Sequence, residues 1–118
     1  ASDVYKRQID DKFKDKLFDS ILLTRKDKRF SRLASNSITV LNACERIDFG
    51  YYDLSNISIP DANLSGSTCE GTDFSNSNLS NVNFKQAYLR NVNFEKSNLE
   101  NIRFYQYPPL KGHTDWIT

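Results

Sequence analysis

The chain has 118 residues, 38% hydrophobic and 26% charged, with a formal net charge of +1. That length holds one domain or little more, and without a run of eighteen apolar residues nothing reads as a transmembrane helix. Cys44 and Cys69 lack a metal-ligand spacing and come with no hydrophobic signal segment, so free thiols in a reducing, cytoplasmic setting are expected.

The charge is unevenly spread. Residues 1–46 hold eleven Lys/Arg against seven Asp/Glu, a net +4, whereas residues 47–106 hold four against seven, a net −3. Residues 1–8, ASDVYKRQ, match nothing downstream. They read equally as a non-native lead-in and as an ordinary polar segment, and are set aside from the fold. Residues 9–45 carry two amphipathic patterns. Phe13, Leu17, Ile21 and Leu22 recur at helical spacing, and after the run TRKDKR so do Phe30, Leu33, Ala34, Ile38 and Leu41. The basic residues Arg25, Lys26, Lys28, Arg29 and Arg32 are interrupted by Asp27 and have one aromatic neighbour, Phe30. A solvated inter-helix loop is the expected role, ahead of a nucleic-acid patch.

From residue 46 to residue 106 the chain repeats every five residues. Phe49, Leu54, Ile59, Leu64, Cys69, Phe74, Leu79, Phe84, Leu89, Phe94, Leu99 and Phe104 occupy one position of twelve consecutive units. A five-residue step fits neither a helical face nor one side of a flat strand. The chain must therefore turn between units, so that each of these centres points to a common axis. Two places before the centres, Ala62, Ser67, Thr72, Ser77, Val82, Ala87, Val92 and Ser97 form a second, narrower inward column. Ile47, Tyr52 and Ile57 are larger there, which predicts an irregular first coil or one opening onto a lid. The second helix is the natural lid, because a terminal coil exposes core and unpaired backbone. One place before the centre, eight of twelve residues are Asp or Asn.

The units ANLSG, TDFSN, SNLSN, VNFKQ, VNFEK and SNLEN resemble the pentapeptide-repeat family. The resemblance implies a mainly β fold, a right-handed quadrilateral β-helix of about three coils, capped here by the N-terminal α-helices. Residues twenty apart would stack in columns, with Phe84 between Leu64 and Phe104 and with Glu70 beside Arg90 as a weak surface pair. Cys69 is expected to be packing rather than redox chemistry.

Residues 107–118 form a linker, and LKGHTDWIT within them resembles the opening of a WD repeat. His113, the single histidine, has no nucleophile or carboxylate motif arranged with it. No catalytic residue, cofactor or metal site is predicted. The expectation is a non-catalytic scaffold within a larger multidomain, WD-repeat-containing protein of regulatory or signalling type. Its partners would be proteins or neighbouring domains of its own chain, with no nucleic acid and no membrane. The alternative is a DNA-mimicking topoisomerase inhibitor, which needs a strongly negative surface. A net −3 interrupted by Lys85, Arg90, Lys96 and Arg103 argues against it.

Overall fold

A computed structural model of the protein describes residues 11–45 and 47–104. Helix α1 spans Asp11–Leu23 and α2 spans Ser31–Val40. A short 3-10 turn, Lys28–Phe30, leads into α2, and a π turn, Leu41–Glu45, follows it. Asp27 starts the 3-10 turn by accepting the Arg29 N–H at 2.9 Å, an N-cap of the usual kind.

On α1 Ile21 is buried with Leu17, Phe18 and Leu22 half-buried around it, and the buried stripe of α2 is Ala34, Ser35, Ser37 and Ile38, continued by Leu41 and Asn42. Phe13, Phe30 and Leu33, expected on those stripes, are exposed. A spacing of four overruns the helical turn, which leaves Phe13 about 110° and Leu33 about 120° from the middle of the face that packs.

Residues 47–104 wind in turns of twenty residues. Eight parallel bridges tie residues twenty apart: Asp48 to Thr68, Asp53 to Asp73, Ser58 to Asn78, Asn63 to Asn83, and the same four again one level on, to Tyr88, Asn93, Asn98 and Arg103. Each bridge is a single residue long. The expected mainly β class is therefore incorrect: the described residues contain no strand and no sheet, and their regular elements are the two α-helices with the 3-10 and π turns.

The reason lies at the corners. Every fifth residue from Tyr51 to Asn101 has a positive φ, between 56° and 69°, and this ends each extended run before a strand can form. Nine of these eleven corners turn on an N–H that reaches back three residues, as from Tyr52 to the Phe49 carbonyl at 3.1 Å and from Val82 to that of Leu79 at 3.1 Å. Asn, Asp and Gly tolerate the left-handed region best and fill eight of the eleven corners.

Three hydrogen bonds per unit join one level to the next. The centre donates down to the next level, Phe49 N–H to the Thr68 carbonyl at 2.8 Å. The corner residue does the same, Tyr51 to Glu70 at 2.8 Å, and the bridge residue below donates back, Asp73 to Tyr52 at 2.9 Å.

The helices lie on the upstream side of the first level. Phe18 meets Phe49 edge-on with centroids 6.4 Å apart, and Tyr52 at 5.6 Å. Thr24 Oγ1 accepts the Ser58 N–H at 2.9 Å, and Thr39 Oγ1 accepts that of Asn63 at 2.9 Å. Arg25 donates to the carbonyls of Ser55 at 2.8 Å and Asp53 at 2.9 Å. Asn42 Nδ2 donates to those of Ser65 at 3.0 Å and Asn63 at 3.4 Å, and Ser35 to that of Pro60 at 2.5 Å. Small residues on the buried face of α2 permit that close approach. The basic run is accordingly not a solvated loop throughout, because Arg25 and Lys28 bind carbonyls of the first level and Arg29 is paired with Asp27 at 2.8 Å.

Candidate interaction surface

Of the twelve centres, Phe49, Leu54, Ile59, Leu64, Cys69, Phe74, Leu79, Phe84, Leu89 and Phe94 are buried, while Leu99 and Phe104 are half-buried at the downstream end. Phe74 stacks on Phe94 at 5.8 Å and Phe84 on Phe104 at 6.2 Å, twenty residues apart in each case. Phe84 and Phe94 meet edge to face across the axis at 5.8 Å, a geometry aromatic quadrupoles favour.

In the second column Ala62, Ser67, Thr72, Ser77, Val82 and Val92 are buried, and Ala87 and Ser97 are half-buried. Its hydroxyls are satisfied within the core. Thr72 donates to the Phe49 carbonyl at 2.8 Å, Ser77 to that of Leu54 at 3.0 Å, and Ser97 to that of Phe74 at 2.6 Å. Of the three large residues that precede them, Ile57 is fully buried, Ile47 half-buried and Tyr52 exposed over 39% of its surface. The backbone of the first level stays regular around them.

All eight Asp and Asn residues before the centres do one job. Asp48, Asp53, Asn63, Asp73, Asn78, Asn83, Asn93 and Asn98 each accept the N–H two residues on, at 2.8–3.1 Å. These are Asx turns, which satisfy a backbone donor that the single-residue bridges leave over. The Ser55 hydroxyl and N–H, helped by Arg25, hold the Asp53 carboxyl below the usual range. Sequence reading singled out the Asp/Asn position without finding this role. The signal was there, in the Asp or Asn that in eight of twelve units stands two before a residue of arbitrary type.

What remains for contact is the outward wall. Tyr51 and Tyr88 are exposed, and Tyr51 lies flat over Gly71, the glycine one level down. Glu70 and Arg90 make no ion pair with each other, contrary to the surface pair expected of their column. Burial raises the Cys69 thiol to about 11, against partial relief from Ser67 and Thr72, while Cys44 is exposed. No group of three or more His, Cys, Asp or Glu able to hold a metal occurs among the described residues. No helix among them is long and apolar enough to cross a membrane. His113, the WD-like segment and residues 1–8 lie outside the described residues.

Residues 61–95 match the family model of pentapeptide repeats, in eight copies. Among solved structures, the chain is similar to the crystal structure of a pentapeptide repeat protein, Rfr23, from the cyanobacterium Cyanothece 51142. The identity is 26% over 48% of this chain, with a TM-score of 0.38, and the match spans 42% of that protein's chain. A search of characterised proteins gives no match.

Proposed function

We propose that the repeat region is a non-catalytic scaffold: it spaces and orients neighbouring domains of a larger, WD-repeat-containing protein and offers its outward wall to protein partners. The observation that supports this reading is the commitment of the polar side chains. Every Asp or Asn of the repeat motif holds a turn, and Thr72, Ser77 and Ser97 hold the carbonyls of the level before. A side chain already engaged in this way is not free to act as a general base or nucleophile. What the repeat leaves free is exposed wall, including Tyr51 and Tyr88, residue types enriched at protein interfaces.

A photo-crosslinking side chain at position 88, in the full chain and in cells, is expected to capture a protein, whereas the same group at the buried position 82 is not. Equal capture at both positions, or at neither, would overturn the scaffold reading. Excess protein in a gyrase supercoiling assay is expected to leave the rate unchanged. Inhibition there would replace the scaffold by a DNA mimic.

A further inference from the structure

Corner residues of the repeat sit at positive φ, and Tyr51 is the aromatic one among them, held at 63° where a bulky side chain is an outlier. Such strain persists only where the surroundings fix it, and it points to a use for the side chain. Here the surroundings are visible. The Tyr51 N–H donates to the Glu70 carbonyl at 2.8 Å, and beneath the ring stands Gly71, whose missing Cβ leaves the ring room to lie against the wall. Tyr51 is nevertheless 74% exposed, so the ring face turned away from Gly71 is open to solvent.

The same side of the repeat supplies negative charge. Asp48 is exposed and spends one carboxylate oxygen on the Gly50 N–H at 2.8 Å, which keeps its charge beside the corner. Glu70, one level on, is half-buried, and neither acid enters an ion pair among the described residues. Gly50 lets the two approach: a Cβ there would stand 2.9 Å from Oδ1 of Asp48 and 3.2 Å from the Glu70 carbonyl oxygen. An open aromatic face flanked by two carboxylates suits a cation, which the ring quadrupole attracts and the carboxylates neutralise. We infer that Tyr51, Asp48 and Glu70 form the docking point for an arginine or lysine side chain of a protein partner. Arginine fits best, because its planar guanidinium stacks on the ring while its N–H fork reaches a carboxylate. Arg90, exposed in the Glu70 column one level further on, repels a cation and confines the site to the first two levels. The inference rests on the reading of the wall as a protein-binding surface and gives that surface its chemistry. The aromatic residues exposed on the described wall, Tyr51, Tyr52 and Tyr88, all belong to this side or its corner, so a partner seated there also meets apolar surface.

The test is an NMR titration of the isotope-labelled full chain with tetra-arginine, followed at the amides of Tyr51, Glu70 and Gly71. With a net charge of +1 the chain has no general attraction for this probe, so a local response is readable. Saturable shifts centred on those amides are expected, weakened by salt and absent with tetraglutamate. Tyr51→Asn, a residue that five other corners already carry, is expected to raise the dissociation constant about two- to fivefold. Glu70→Gln is expected to raise it about twofold, the two together at least about fivefold, while Tyr88→Ala leaves it unchanged. Binding that both variants leave intact would overturn the inference, as would an equal response to tetraglutamate, shifts centred elsewhere on the chain, or an equal loss in Tyr88→Ala. Spermidine that moves the same amides as tightly would overturn it in favour of a free polyamine. Capture of a protein through position 88 in cells, alongside any of these negative results, would remove this site alone and leave the scaffold reading standing.

Discussion

At Gly71 two constraints coincide. Its φ is 69°, and a Cβ there would run into the ring of Tyr51. Gly71→Ala is expected to cost about 1–3 kcal/mol for the left-handed backbone, plus whatever moving the ring requires. Because Tyr51 is largely exposed, its ring can swing away. Urea denaturation of Gly71→Ala with and without Tyr51→Ala separates the two: the backbone part should survive in the double variant. No loss in either background would contradict the corner geometry. Cys69 supplies a pH dependence. Its thiol is raised from 9.0 to about 11, so its contribution to stability is complete below pH 9 and is lost as the pH climbs through 11. Cys69→Ser is expected to flatten that alkaline decline. At neutral pH a thiol reagent should modify Cys44 at once and Cys69 only on unfolding, and rapid labelling of both would exclude the burial described.

Single elements show what could and could not be read beforehand. The twelve centres were legible, because large apolar residues at a fixed five-residue step have one inward direction, whereas their twenty-residue register came from the resemblance to pentapeptide repeats and not from the step itself. The absence of strands was not. It follows from the positive φ of residues such as Gln86 and Lys96, whose side chains announce nothing left-handed. The helix faces were half legible: Ile21, Ala34 and Ile38 are buried as their periodicity suggests, but Phe18 was passed over in favour of Phe13. The anchoring of the cap was hidden too, since Thr24, Arg25, Ser35 and Asn42 look like any polar residues until the first level is placed beneath them. Thr24 carries a sharp test. Its Oγ1 donates to Ile21 at 2.7 Å while accepting the buried N–H of Ser58. Thr24→Val keeps the shape and strands that N–H, for an expected loss of about 1–3 kcal/mol. Thermal unfolding with a midpoint equal to wild type would show that the contact carries no stability.

Across the molecule, helices and levels form a single apolar core that runs from Ile21 through Phe49 to Phe94. The stacked part is quasi-one-dimensional, each level contacting its neighbours, and of its twelve centres only Leu99 and Phe104, on the third level, are half-buried rather than buried. Stability is thus expected to decline from the capped end to the downstream one. The helices, far from being a separate domain, complete the first level both in packing and in hydrogen bonds.

The register of twenty has a consequence for how such a chain can change length. Four units make one turn, so inserting one unit of five advances everything downstream by roughly 1.2 Å along the axis and rotates it by about a quarter turn. Four units lengthen the stack by one spacing, about 4.8 Å, and restore every azimuth. Insertions that are not multiples of five throw the centres outward. The molecule is in this sense an indexed dial: its length sets the direction in which whatever follows it must face.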